Sequence, residues 1–108
     1  GRRAFHYGID ISNMIGTSIH ATATGEVVFA GRNGGYGKMV KIEHSDNYLS
    51  IYGHLRHIQV KPGDKVVRGD SIGTMGNSGR SSGSHLHYEV RYKDNPLNPY
   101  PLIYLSKK

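Results

Sequence analysis

Short runs in which apolar and polar residues alternate fill most of the chain, and clusters of Gly, Pro, Asn, Asp and Ser separate them. A period of two is typical of strands with one buried face, whereas a helix repeats its apolar positions every three to four residues. No segment sustains a helical period, and at most one helical turn fits near residues 55–59. The pattern predicts strands at 26–31, 38–44, 47–54, 70–76 and 85–92.

Connections between these strands indicate how they are arranged. A tight polar turn joins 38–44 to 47–54, which predicts a hairpin. Residues 16–31 and 63–79 resemble each other weakly, since each runs from a Gly-led strand through a turn to a second strand. We therefore predict a mostly β fold, a small antiparallel barrel or sandwich, in which the proline-rich segment 95–105 is an ordered surface coil.

The amino-acid composition limits the kinds of functional site and partner that are possible for this chain. The 108 residues suit one domain, and no apolar run approaches the roughly 20 residues of a membrane-spanning helix. The chain has no cysteine, so any metal ion must be bound by His, Asp or Glu. A net charge of +6 favours anionic partners, or serves solubility alone.

The predicted strand 85–92 carries two kinds of face. His85, His87 and Glu89 share one side, because residues two apart in a strand point the same way, and the residues between them are apolar. Two imidazoles beside a carboxylate are compatible with a functional site. They are equally compatible with the hydrated outer face of an edge strand.

A second pair of candidate ligands lies near the start of the chain. His6 and Asp10 are four residues apart, a spacing that aligns them on a helix and also on a strand. Gly8 and the neighbouring isoleucines favour a strand or an extended loop. A His–Asp pair suits zinc, although a surface ion pair explains the same residues. His54, at the end of an aromatic strand, is by itself most often structural or exposed.

Each of these candidate residues is weak evidence by itself, but together they indicate a zinc site. Catalytic zinc usually has three protein ligands and keeps a fourth position open for water. Five candidates would supply three ligands and two groups for proton transfer: His6, Asp10, His54, His85 and His87.

The remaining histidines and the common catalytic motifs offer no better site. We expect His20 to be a partly exposed structural residue, His44 to face solvent at the hairpin turn and His57 to lie on the surface. The sequence contains no H-E-x-x-H, no G-x-S-x-G and no Walker or dinucleotide-binding glycine pattern. Its eight tyrosines lack any accompanying RNA-binding signature, so we expect no nucleic-acid partner.

Six motifs, in order along nearly the whole chain, make a more specific identification possible. They are "HYGID", "GGYG", "YGHL", "VKPGDKVVRGDSIG", "GNSGRSSGSHLHYEV" and "NPL". Together they resemble the lysostaphin-type zinc endopeptidases of the LytM family. The resemblance implies the duplicated-hybrid-motif fold and one metallopeptidase domain, 1–108, excised from a longer envelope protein. It also implies a place in the bacterial cell envelope: the periplasm, the cell surface or the exterior.

The resemblance also implies a role for each candidate. His6, Asp10 and His87 correspond to the ligands of one zinc ion, and His54 and His85 correspond to the catalytic histidines.

Two further residues match with less detail. Tyr36 matches an aromatic position near the substrate groove, which implies substrate binding. Glu89 is implied to support the metal site from behind the ligands, or to serve the structure alone.

The function implied is hydrolysis of peptide cross-links or cross-bridges in bacterial peptidoglycan. We expect cleavage of stem cross-links that contain D-residues rather than of glycyl-glycine bonds, and no membrane contact within this chain. The alternative is a catalytically latent or regulatory wall-binding module on the same fold, which an inhibitory upstream segment of the full-length protein could maintain.

Overall fold

The structure, a computed structural model, describes residues 9–77, 84–93 and 95–97. Nine strands and two 3-10 turns (Gly34–Tyr36 and Ser45–Asn47) make up its regular elements. The strands are β1 (Ile9–Ser12), β2 (Ser18–His20), β3 (Gly25–Arg32), β4 (Lys38–Glu43), β5 (Tyr48–Ile58), β6 (Lys65–Val66), β7 (Ser71–Met75), β8 (His85–Tyr92) and β9 (Asn95–Leu97). Over these residues we find no helix with the length and apolar character needed to span a membrane.

All the strand pairs are antiparallel, which confirms the predicted fold class. The main order is β1-β8-β5-β4-β3-β6; β7 joins β2 to β5, and β9 pairs with β8. The two weakly similar segments pair reciprocally, β2 with β7 and β3 with β6. Their turns interlock too, since Ala21 N donates to Asp70 O and Gly69 N donates to Ala21 O.

One prediction of local structure is wrong, and the one place where a helical turn could fit is a strand. Residues 55–58 continue β5 rather than form a helical turn, because β7 pairs with this extension from Leu55↔Met75 to Ile58↔Gly73. The beginning of the tail is not the predicted coil: Asn95–Leu97 is β9, paired with the end of β8, and the rest of the predicted coil, 98–105, lies outside the described residues. The predicted hairpin is confirmed, as β4 and β5 pair from Lys38↔Leu55 to Glu43↔Leu49.

A hydrogen-bonded cluster of hydroxyls lies within the core. Tyr52 and Tyr88 are buried and opposite each other, with ring centroids 5.3 Å apart. Thr22 Oγ1 lies 3.0 Å from the Tyr52 hydroxyl and 2.8 Å from that of Tyr88. Ser50 Oγ donates to the Tyr52 hydroxyl at 2.9 Å, so the buried hydroxyls of both tyrosines have partners.

His44 contacts this cluster and is half-buried, so the prediction that it faces solvent is only partly correct. Its Nδ1 lies 2.7 Å from Thr24 O, and its Nε2 lies 2.7 Å from Ser50 Oγ. Thr24 lies 20 residues before His44, so the local sequence at the turn does not predict this contact.

We expect Tyr52→Phe to lower the free energy of unfolding by about 1–2 kcal/mol, because it removes the hydroxyl that accepts hydrogen bonds from Ser50 Oγ and from Thr22 N–H. Chemical denaturation measures the change. Tyr48→Phe is the matched control, since Tyr48 is 37% exposed at the end of the same strand. Equal losses in the two variants would contradict a stabilising role for the cluster.

Candidate metal centre and active site

Pairing between β1 and β8 brings Asp10, near the start of the chain, beside the two histidines of β8. Asp10 is directly opposite His87, and Ser12 is opposite His85. Asp10 Oδ1 lies 2.8 Å from His87 Nδ1 and 3.8 Å from His85 Nε2. Asp10 is thus on a strand, as predicted, while His6 lies outside the described residues.

His54 reaches the same face through an irregularity in β5. Val40 pairs with Tyr52 but Lys38 pairs with Leu55, so two residues of β5 occupy the space opposite one residue of β4. This is a β-bulge, and it reverses the alternation of side chains along the strand. Without it, His54 would follow buried Tyr52 into the core.

The bulge depends on an unusual backbone conformation. His54 has a φ of 62°, in the left-handed region that residues with a Cβ rarely adopt. Its ring is buried, with its centroid 5.0 Å from that of His85 and 6.0 Å from that of His87. Strain of this kind concentrates at functional sites, where the surrounding structure holds it in place.

Two glycines permit close packing around these rings. At Gly53, opposite His87, an added Cβ would lie 3.2 Å from Tyr36 Cδ1 and 3.6 Å from His87 Cβ. Gly76 connects two histidines, because its N–H donates to His54 O and its carbonyl accepts from His85 N–H, both at 3.1 Å. A Cβ at Gly76 would approach within 2.7 Å of backbone N of Arg56, so only glycine fits there.

Behind His87 lies a buried carboxylate with donors on both oxygens. Glu89 is 1% exposed, and its Oε2 accepts hydrogen bonds from Tyr36 Oη at 2.6 Å and His87 Nε2 at 2.7 Å. Its Oε1 accepts from Arg91 Nε at 3.1 Å and Arg91 Nη2 at 3.0 Å. Arg91 Nη2 also donates to Tyr36 Oη at 3.3 Å, which closes the group.

These contacts shift the pKa values of the side chains involved. Burial raises the pKa of the Glu89 carboxyl, but hydrogen bonds from His87, Tyr36 and Arg91 outweigh burial, so the net shift is downward. Burial lowers the pKa of His87, but its contacts with Glu89 and Asp10 raise it more. Burial and the neighbouring Glu89 carboxylate raise the pKa of Tyr36 to about 12. Glu89 is accordingly ionised and Tyr36 neutral at physiological pH.

Four of the five predicted zinc-site residues therefore lie together on one face: Asp10, His54, His85 and His87. Carboxylate oxygen and imidazole nitrogen are suitable zinc donors, and the bonding of His87 Nε2 to a carboxylate is typical of metal-binding histidines. No group of three or more such side chains within the described part of the chain meets the geometry of a metal site. The donors present fit zinc, with His6 as the predicted third ligand.

Sequence reasoning overlooked Arg91 and Gly76. Arg91 is the next residue on the face that carries His85, His87 and Glu89, so the same alternation identifies its side. Gly76 carried no such signal, because its role arises from backbone contacts between separate strands. His57 is exposed, as predicted, and His20, which we expected to be only partly exposed, is exposed as well.

We expect the left-handed conformation of His54 to reverse the usual effect of glycine in a strand. His54→Gly should be more stable than His54→Ala by about 1 kcal/mol, since glycine adopts this φ without steric cost. At His57, which is exposed and has no left-handed φ, Ala should instead be the more stable of the two substitutions. Equilibrium denaturation of the four variants decides; the same order at both positions would contradict strain at His54.

A raised pKa of His87 predicts how stability depends on pH in metal-free protein. A histidine whose pKa is higher in the folded state stabilises the protein below its unfolded pKa of about 6.5, and this contribution is lost as pH rises through the folded value. We expect the free energy of unfolding, measured with a chelator, to fall as the pH rises above about 6.5. His87→Gln should flatten the curve, whereas exposed His20→Gln should not; a flat curve for the unsubstituted protein would be the contrary result.

Comparison with known proteins gives close matches over most of the chain. A family model described as "Peptidase family M23" matches residues 4–99. The chain is 44% identical over 94 residues to the "DD-carboxypeptidase/endopeptidase Mpg" of Neisseria meningitidis, covering 87% of this chain and 22% of that protein. It is 45% identical over 102 residues to the "Murein hydrolase activator NlpD" of Escherichia coli, covering 94% of this chain and 26% of that protein. The chain thus spans about a quarter of the length of these relatives.

Solved structures of peptidases also superpose on most of this chain. The catalytic domain of the antimicrobial peptidase lysostaphin from Staphylococcus simulans superposes with a TM-score of 0.86 at 32% identity, covering 92% of this chain and 79% of that one. A zinc-containing peptidase from Vibrio cholerae superposes with a TM-score of 0.83 at 35% identity, covering 91% of this chain and 29% of that one.

Proposed function

The chain belongs to peptidase family M23, and from this we propose that it is a zinc-dependent endopeptidase that hydrolyses peptide cross-links of bacterial peptidoglycan. One observation carries the proposal: Asp10, His54, His85 and His87 converge on one face of the sheet in a chain whose sequence also supplies His6.

His6, Asp10 and His87 would hold the ion. Zinc in such a site lowers the pKa of a bound water to about 7 and polarises the scissile carbonyl. His54 and His85 have rings 5.0 Å apart, and an imidazole exchanges protons near neutral pH. One of these two rings accepts a proton from the attacking water, and the other donates a proton to the amine nitrogen as the C–N bond breaks.

The preferred substrate is a stem cross-link that contains D-residues, rather than a glycyl-glycine bridge. Support comes from the relative named as a DD-carboxypeptidase/endopeptidase, which at 44% identity is more similar in sequence than the lysostaphin catalytic domain at 32%. The names of the relatives also support a place in the cell envelope, where the chain would act as one peptidase domain of a longer protein.

A second function is favoured by one specific observation. The relative at 45% identity is named as an activator of murein hydrolases, so this domain could stimulate a partner hydrolase instead of cutting peptidoglycan itself. We favour hydrolysis because an activator needs no metal-binding and proton-transfer groups, whereas this chain places four of them together.

We expect purified protein to bind about one zinc ion per chain and to release peptides from peptidoglycan. His54→Ala should retain zinc but lower turnover by about 10²–10⁴-fold, as expected for loss of a proton-transfer group. His57→Ala, an exposed histidine three residues on, is the matched control and should retain activity.

Substrates of different cross-link chemistry then separate the alternatives. Mass analysis of fragments from directly cross-linked and from glycine-bridged peptidoglycan identifies the bond cleaved. A zinc-loaded protein that cuts neither substrate, yet accelerates a separate murein hydrolase, would support the activator and overturn the endopeptidase.

A further inference from the structure

Strand β5 changes its pairing partner from β4 to β7 within a few residues of His54. Its pairing with β4 ends at Lys38↔Leu55, and its pairing with β7 begins at Leu55↔Met75. Arg56, the next residue of β5, has no counterpart in either register. A second bulge therefore lies two residues after His54.

The turn before β4 explains why β4 offers no backbone donor to the carbonyl of Arg56. Continued pairing would place Gly37 opposite Arg56. However, Gly37 N–H donates to Gly34 O at 3.1 Å, and Gly37 O accepts from Asn33 N–H at 2.9 Å, so both groups are committed to the turn. The side chain of Lys38 supplies the donor instead, because its Nζ donates to Arg56 O at 3.1 Å. A hydrogen bond from an ammonium group is charge-assisted and therefore stronger than one between neutral groups.

The position of Arg56 matters to the site because its backbone packs against Gly76. A Cβ at Gly76 would lie 2.7 Å from Arg56 N and 2.8 Å from Arg56 Cα, so the two backbone segments are in close contact. Gly76 N–H in turn donates to His54 O, and Gly76 O accepts from His85 N–H. A displacement of Arg56 would therefore reach the residues of both candidate catalytic rings, whose centroids are 5.0 Å apart.

From these contacts we propose that Lys38 is a positioning residue for His54 and His85. By holding the carbonyl of Arg56, Lys38 keeps Gly76 in place and so fixes the distance between the two imidazole rings. This inference rests on the proposed function, in which these rings transfer protons. Because Lys38 acts through the backbone, its loss should lower turnover and leave KM and zinc affinity unchanged.

Lys38→Met removes the ammonium group but keeps the length of the side chain. We expect it to lower kcat by about three- to tenfold, the effect of one lost hydrogen bond. Lys38→Arg retains a cationic donor and should restore most of the turnover, whereas a lysine that only filled space would not distinguish Met from Arg. Lys41→Met is the matched control and should keep its kcat. Lys41 is also a half-buried lysine of β4, but its ammonium group lies 5.8 Å from the centroid of the Phe29 ring.

Amide hydrogen exchange, followed by NMR, tests the same contacts without substrate. In Lys38→Met, the Gly76 N–H should exchange about three- to tenfold faster, because its bond to His54 O is held less firmly. The amides of residues 41–43, in the regular part of the β4–β5 ladder, should exchange at unchanged rates. This difference separates a local effect from a loss of global stability. In Lys41→Met, exchange at Gly76 should not change.

Three results would overturn the positioning role: equal kcat in Lys38→Met and Lys41→Met, a loss in Lys38→Arg as large as in Lys38→Met, or unchanged exchange at Gly76 in Lys38→Met. A raised KM at unchanged kcat would also overturn it, since Lys38 would then contact the substrate. If Lys38→Met does not fold, Lys38→Gln, which also lacks the ammonium group, takes its place. Failure of the proposed function is separable: in a protein that cleaves no peptidoglycan, exchange at Gly76 still decides whether Lys38 holds the segment.

Discussion

The pairing of β8 between β1 and β5 is the constraint on which the rest of the structure depends. Tyr88 faces Tyr52 in the core, and the register that joins these rings also sets His87 beside Asp10 on the other side. Because side chains alternate along a strand, burial of the tyrosines and assembly of the site are one event. Packing of the two tyrosines in the core therefore also fixes the positions of the imidazole rings on the opposite face.

The second strand of the site follows a different rule. β5 is as regular as β8 up to Tyr52, and then the bulge at Gly53 and His54 interrupts it. Its left-handed residue costs stability, and the neighbouring contacts of Gly76 with His54 and His85 hold that segment in position. In the site, side chains alternate regularly along β8, whereas in β5 the alternation is interrupted at His54, one of the candidate catalytic residues.

Much of this was predictable from sequence, for identifiable reasons. Alternation alone predicted the face shared by His85, His87 and Glu89, and turn residues located the hairpin between β4 and β5. What could not be predicted depends on contacts between strands: the continuation of β5 along β7, the bulge opposite β4 that redirects His54 and the contact of His44 with Thr24. Each is determined by the segment that packs against the strand, so the period of apolar residues within one strand does not predict it.

The two-faced character of β8 also bears on how such a domain can change over evolutionary time. Loss or gain of one residue within β8 would exchange its faces, which would move the tyrosines to the surface and the histidines into the core. Lineages can therefore vary the turns that make no contact with the site, but must keep the length of this strand fixed. New specificities should arise from insertions in those turns, while the strand that carries His85 and His87 stays constant in length.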